Sequence, residues 1–559
     1  MNLAAITHET TLPYRQPIAR NIIHFRILTA QENCTSVTLN CWKRSDSFPE
    51  SLRVMPLSIR YADGIHAEWV CDADFAEETH YIKYYFRIDF TTGETRFFCE
   101  HGFLENEPER GYFELLQANE TEVTERPSWC RSIVYYQIFP ERFAVGNSNK
   151  TFRDYVPWQD EPTRENFLGG DLNGIRAKLP YLRMLGVECL YLNPVFSGDF
   201  NHKYATADYF QIDLDFGTNE DLIALVDEAH AGGIRVVLDG VFNHAGVRFA
   251  PFADVLKRGA SSRYRDWFYI KRFPVIIDAE CYECVGDYPY MPRLRTANPE
   301  TREYILSVML YWLKTAKIDG WRLDVADELD VQTVRYLREH LKREYPDALL
   351  LGETWGDASR MVCEGDQFDC AMNYLFRDAM VDFFAKGRIN AADLDHRLSH
   401  MLMKYPDATN LCQYNCLGSH DTARFLTEAS GENWRLKLAI AFQILFPGSP
   451  AIYYGDELGM TGENDPGCRG GMVWDHGDVE LLKWTHDLIA LRKNSMAARL
   501  GDYHTLIADP VSNVFAFERQ YGNERLIAIF NRGKEPHTLD FADATGTITV
   551  PSESVKIIQ

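Results

Sequence analysis

At 559 residues the chain is too long for one hydrophobic core, so roughly two to four domains are expected. Its 58 Lys and Arg stand against 81 Asp and Glu, and a net charge of −23 excludes a surface suited to nucleic acid or to an anionic membrane. With 46% hydrophobic and 25% charged residues, and no apolar stretch long enough to span a bilayer, it reads as a soluble globular protein.

Residues 1–121 hold short alternating runs such as Ile22-Ile23-His24-Phe25-Arg26-Ile27 and Tyr81-Ile82-Lys83-Tyr84-Tyr85-Phe86-Arg87-Ile88. Turn residues such as Thr91-Thr92-Gly93-Glu94 separate them, which predicts an N-terminal β-sandwich. A Glu/Thr-rich stretch from Asn119 to Pro127 reads as a linker.

From residue 122 to 498 strands alternate with helices. Strand candidates are Val134–Phe139, Glu188–Leu192, Ile234–Leu238, Gly320–Val325, Ala348–Gly352, Cys370–Leu375, Asn415–Ser419 and Pro450–Tyr454. Helices are predicted over Leu172–Leu185, Asn219–Ala231, Val331–Glu344, Trp434–Leu445 and Glu480–Lys493. Strand–helix units in this order predict an α/β fold, a (β/α)₈ TIM barrel, more readily than an open sheet. Residues 243–298 follow the third strand and far exceed a loop of about 2–6 residues, so they are expected to form an inserted subdomain over the catalytic rim. The tail, 499–559, returns to short strands and reads as a C-terminal β-domain.

Thirteen cysteines form no framework of spacings, which points to reduced thiols and a cytoplasmic protein. The first twenty residues hold no continuous apolar run of the kind a signal peptide needs. The one CxxC, Cys281 and Cys284, lacks the second pair of a zinc site. His396 and His400, four apart without an HExxH motif, read as surface residues. Aromatic residues make up 13% of the chain, and many lie in loop-like segments where their faces suit sugar rings; core packing is the plainer explanation.

Barrel enzymes carry their chemistry at the C-terminal ends of strands. Asp239, Asp324, Glu353 and Asp421 stand at four such ends. Carboxylates beside apolar strand interiors are costly unless they pair or carry out chemistry. For one of them, a structural ion pair with Arg322 would suffice; four together point to a site.

These segments are Asp239-Gly240-Val241-Phe242-Asn243-His244, Gly320-Trp321-Arg322-Leu323-Asp324, Gly352-Glu353-Thr354-Trp355 and Ser419-His420-Asp421. In sequence and order they resemble the signatures of the α-amylase family of glycoside hydrolases. Met291-Pro292-Arg293-Leu294 and Tyr453–Met460 resemble markers of its cyclomaltodextrinase, neopullulanase and maltogenic amylase branch. The resemblance implies a retaining hydrolase of α-1,4 linkages in cyclodextrins, maltooligosaccharides or pullulan, with some transfer to sugars. Asp324 would be the nucleophile, Glu353 the general acid/base, and Asp421 a holder of sugar hydroxyls. A retaining pair stands about 5–5.5 Å apart, one carboxyl ionised and the other protonated.

Arg322 is expected to lower the Asp324 pKa, and Trp355 to help raise that of Glu353 by excluding water. The resemblance also assigns Tyr204 as a stacking platform, and Asp239, His244, Arg322 and His420 to the cleavage subsite. Asp465 and Arg469 would hold the next sugar, and Glu328 and Trp355 the far side of the cleaved bond. An N-terminal domain of this branch packs on a second subunit's barrel and narrows its mouth, which implies a homodimer.

The chain departs from the branch at Ala205 and Asp327, where Asp and Asn are usual. No cofactor is required, but the branch's calcium loop would map onto Asn147, Asn149, Gly169 and Asp171, with Val145 and Lys150 removing candidate ligands. Two other readings stay open: a mainly transferring or isomerising enzyme on the same scaffold, and a non-catalytic carbohydrate-binding barrel. The presence of all three catalytic carboxylates opposes the last.

Overall fold

Alternation along the first strands builds two sheets face to face. In the strand Ile22–Ala30 the side chains of Ile23, Phe25 and Ile27 are buried, and in Tyr81–Phe90 those of Ile82, Tyr84, Phe86 and Ile88 meet them from the opposite sheet. Each such side chain contributes about 1.5–3 kcal/mol by leaving water. One sheet runs Arg15–Pro17, Ile22–Ala30, His66–Asp74, Ser58–Ala62; the other is centred on Cys34–Lys43 and Tyr81–Phe90. The predicted β-sandwich is therefore present. This computed structural model describes residues 1–46, 48–76, 81–116, 126–151, 153–541 and 546–559. The predicted 121/122 boundary and most of the Asn119–Pro127 linker lie outside them.

The barrel follows. Its eight parallel strands are Tyr135–Ile138, Cys189–Leu192, Arg235–Gly240, Gly320–Leu323, Leu349–Gly352, Cys370–Ala371, Tyr414–Cys416 and Ser449–Tyr453, each at a predicted position. The ring closes between the sixth and seventh strands through a parallel bridge of Met372 with Tyr414. Segments such as Leu349-Leu350-Leu351 are apolar without alternation because both faces are covered. The helix Asn219–Ala231 forms as predicted, fixed by a capping box of Thr218 and Asp221. The stretch predicted as one helix over Leu172–Leu185 is two, Leu172–Ala177 and Leu179–Leu185, because Pro180 cannot continue the hydrogen-bond ladder.

Residues 243–298 form the inserted subdomain, with a helix Ala250–Arg258 and bridges that tie His244 to Arg293 and Phe268 to Leu294. At the far end a four-stranded sheet, with a separate strand pair His537–Phe541 and Gly546–Val550, makes the C-terminal β-domain. The sandwich docks on its own barrel through Arg60 to Asp407 (2.6 Å) and His400 to Asp63 (2.9 Å). His396 packs over Gly64, so this histidine pair belongs to an interdomain contact and not to a bare surface. Among the described residues no helix is long and apolar enough to cross a membrane.

Candidate active site

The rim of the barrel gathers its carboxylates around one cation. Arg322, on the fourth strand, is fully buried. Its Nη1 donates to Asp239 Oδ1 at 2.7 Å and to Asp324 Oδ1 at 2.9 Å. Its Nη2 pairs with Glu353 Oε2 at 2.8 Å. Three adjacent strand ends are thus tied to one guanidinium, whose planar fork suits carboxylates. Asp239 is completed by the hydroxyls of Tyr191 (2.7 Å) and Tyr204 (2.9 Å).

Val325, two residues past the fourth strand, adopts φ +45°, a left-handed conformation that is rare for a β-branched residue and costs about 1–3 kcal/mol. The turn delivers its N–H to Glu353 Oε2 at 2.9 Å. Oε2 is thus held by this amide and by Arg322, and Oε1 has no such partner among the described residues. On Asp324, Arg322 takes Oδ1, and Oδ2 faces His244 Nδ1 at 3.9 Å.

The cleft above has a volume of about 380 Å³ and is lined by Asp324, Glu353 and Asp421 together with Tyr204, His244, His420, Trp355, Asp465 and Arg469. Tyr204 stacks on His420 with ring planes 4° apart, and its hydroxyl meets His420 Nε2 at 2.5 Å. The other His420 nitrogen is taken by Gln137 at 2.9 Å. Among the described residues neither ring nitrogen of the buried His244 has a hydrogen-bond partner of normal geometry, an arrangement that suits a hydroxyl-bearing ligand. Arg469 reaches Asp421 at 3.1 Å and Asp465 at 2.8 Å. Trp355, 52% exposed, lies flat on Tyr374 and offers its other face to the cleft.

Several expectations need correction. Burial raises the Asp324 carboxyl well above the usual range, and Glu353, Asp239 and Asp421 add to the rise; Arg322, shared by three acids, only opposes it. Arg322 lowers it as expected, but burial outweighs that pull, so the Asp324 carboxyl stands above the usual range and not below it. Burial and the Glu353 charge likewise raise Asp421, to about 7, against Arg469 and Arg322. Burial lowers His244 to about 4.

Asp239 and Arg322 do not line the cleft; they hold the residues that do. Glu328 is also outside the lining and pairs with Arg293 at 3.4 Å. Trp355 is too exposed to shield Glu353 from water.

Sequence reasoning missed Arg164, His202, Val285, Tyr288 and Tyr290, which complete the wall. The Tyr288-Pro289-Tyr290 turn in the insertion was a usable signal; Arg164 had none. Asp327 does reach the cleft, where Thr354 donates to it at 3.1 Å.

The residues assigned to calcium do not fit that ion. The Lys150 ammonium donates to Gly169 O at 2.8 Å and lies 2.8 Å from Asp171 Oδ2. Asn147 Oδ1 is turned to the Asn149 amide at 3.0 Å. Among the described residues no group of three His, Cys, Asp or Glu side chains is arranged to hold a metal ion.

Residues 137–498 match the family model of the alpha amylase catalytic domain, and residues 1–119 that of the alpha amylase N-terminal ig-like domain. The chain is 42% identical to a cyclomaltodextrinase of Geobacillus thermopakistaniensis over 96% of its own length and 92% of that protein's. It is 39% identical to neopullulanase 2 of Thermoactinomyces vulgaris, again over 96% of this chain and 92% of the relative. A solved cyclomaltodextrinase structure superposes with a TM-score of 0.94 at 36% identity, covering 99% of this chain and 98% of that one.

Proposed function

The chain belongs to the alpha-amylase family and is a glycoside hydrolase acting on α-glucans; from that premise we propose that it cleaves α-1,4 linkages with retention, through a glycosyl-enzyme on Asp324. The observation that carries this reading is the joint hold of Arg322 on Asp324 Oδ1 and Glu353 Oε2, which leaves Oδ2 and Oε1 as the reacting oxygens.

In the first step Asp324 Oδ2 bonds to the anomeric carbon as the glycosidic C–O bond breaks. Glu353 gives its proton from Oε1 to the departing oxygen. In the second, Glu353 takes a proton from water, which displaces Asp324 from the same carbon, so two inversions restore the α configuration. Asp324 must be ionised for the first step. Arg322, 2.9 Å from Asp324 Oδ1, is the charge that stabilises this carboxylate. The ring nitrogens of His244 would meet ring hydroxyls, Tyr204 would stack beneath the sugar, and Arg469 with Asp465 would hold the next unit. The exposed face of Trp355 would receive an acceptor sugar, which supports some transglycosylation in competition with water.

We place short α-1,4-glucans, cyclodextrins and pullulan among the substrates, because cyclomaltodextrinase and neopullulanase are what the relatives are called. The N-terminal domain carries exposed apolar side chains, Val54, Ile59 and Ile65 among them, and we propose a homodimer in which this domain narrows the partner's cleft. All thirteen cysteines are free, which supports a cytoplasmic location.

The test is covalent trapping. A fluorinated α-glucosyl fluoride should leave one sugar on the peptide that contains Asp324, and Asp324→Asn should abolish both the label and turnover. Label on any other residue would overturn the assignment.

A further inference from the structure

The first βα loop of the barrel is closed by a side-chain cation. Lys150 is almost fully buried, and its Nζ lies 2.8 Å from Gly169 O, 2.7 Å from Asp215 O and 2.8 Å from Asp171 Oδ2. An ammonium has three protons, and here each has one oxygen to meet. Asp171 is further held by the amides of Gly146, Asn147 and Gly174, so it also caps the helix Leu172–Ala177.

The charges nearby balance. Lys150, Arg153 and Lys203 face Asp171, Asp213 and Asp215, beside the buried pair of Glu141 with Arg142 (2.6 Å): Arg153 pairs with Asp215 at 2.7 Å, and Lys203 with Asp213 at 2.9 Å and Asp215 at 2.6 Å. A divalent ion added here would leave uncompensated positive charge in a buried place, which is costly. Calcium would also demand six to eight oxygens at about 2.3–2.6 Å, several of which this network already uses.

The network leads to the cleft. Asp215 accepts from Lys150 through its carbonyl and from Lys203 through its carboxylate. Lys203 sits at φ +60° immediately before Tyr204, with Nζ also on Gly198 O at 3.1 Å. A non-glycine residue in that conformation persists only where its surroundings hold it.

We propose that Lys150 is the built-in cation of this loop, standing where a metal ion would otherwise be needed, and that it positions Tyr204 through Asp215 and Lys203. This inference concerns the loop's architecture, and its first readouts are independent of the reaction proposed above. Purified full-length protein should carry less than about 0.1 calcium per chain by mass spectrometry of its metals. Its Tm should be the same, within about 1 °C, in excess EDTA and in millimolar calcium chloride. A Tm that falls in EDTA and returns with calcium would overturn the proposal without bearing on the catalytic carboxylates.

Lys150→Met removes the charge and leaves Asp171 unpaired, so its Tm should fall by about 5–10 °C; an unchanged Tm would also overturn the proposal. Lys150→Asp restores an oxygen donor. It should be destabilised in EDTA, and calcium should restore both its Tm and most of its kcat/KM. If calcium at millimolar concentration left Lys150→Asp unaffected, the ammonium would not be standing in a cation's place.

Discussion

Replacing Arg322 by Met keeps the length and much of the packing of the side chain but removes the one charge that Asp239, Asp324 and Glu353 share. Asp239 would keep its tyrosine hydroxyls and Glu353 the Val325 amide, while Asp324 would lose its cation entirely. Breaking a buried ion pair from one side costs about 3–5 kcal/mol, and the loss should be read at pH 7 by urea denaturation. The sign of its pH dependence follows from the raised Asp324 carboxyl. Without Arg322 that carboxyl rises further, so between the usual carboxylate range and neutrality the native state binds more protons than the unfolded chain. Stability then falls as pH rises. The natural protein shares that fall up to its own raised value, so the deficit should be smallest at acid pH and grow as pH rises through that value toward the variant's higher one. On a maltooligosaccharide, kcat should fall at least about a thousandfold, roughly 4 kcal/mol of lost transition-state stabilisation. A variant whose deficit does not grow with pH from acid to alkaline solution, or that keeps activity within tenfold, would refute the electrostatic role and leave Arg322 as packing.

Glu353→Gln should lose most activity on maltooligosaccharides but retain the first step on aryl glucosides with good leaving groups, seen as a burst of the phenol; equal loss on both would deny it the acid's role. His244, lowered to about 4, gains its proton in the unfolded chain near 6.5 and in the native protein only near 4. The natural protein should therefore lose up to about 3 kcal/mol more than His244→Gln as pH falls through that window, and parallel Tm curves would contradict this. Sedimentation at micromolar concentration should give a dimer, and removal of residues 1–121 a monomer that loses cyclodextrin activity more than starch activity. A full-length monomer that still prefers cyclodextrin would remove the roof.

The barrel was legible because its strands are short apolar runs and its acids stand at their ends, where burial leaves little else for a carboxylate to do. Asp324, Glu353 and Asp421 converge as expected. Arg322 was expected as a partner of the strand-end acids and of Asp324 above all, but no spacing in a sequence tells that one guanidinium reaches Asp239, Asp324 and Glu353 together. Asp239 looked like a sugar contact from its place at a strand end, but two tyrosine hydroxyls from the second strand and the loop after it cover it. Lys150 was read only as a lost ligand; that its ammonium meets the remaining ligands depends on a loop path that composition does not encode. The helix Pro299–Thr315 went unpredicted although Asn298 caps it and Pro299 opens it, because its apolar residues run nearly all round. Arg164 reaches the cleft wall beside Tyr288 through tertiary contact alone.

Retention at the anomeric carbon is what the proposed glycosyl-enzyme on Asp324 requires, and proton NMR of the first minutes of hydrolysis reads it directly. Maltotriose or a cyclodextrin should release its new reducing end as the α-anomer, with the β signal growing only at the rate of mutarotation. A new reducing end that appears first as β would mean a single displacement by water, and Asp324 would not be the nucleophile.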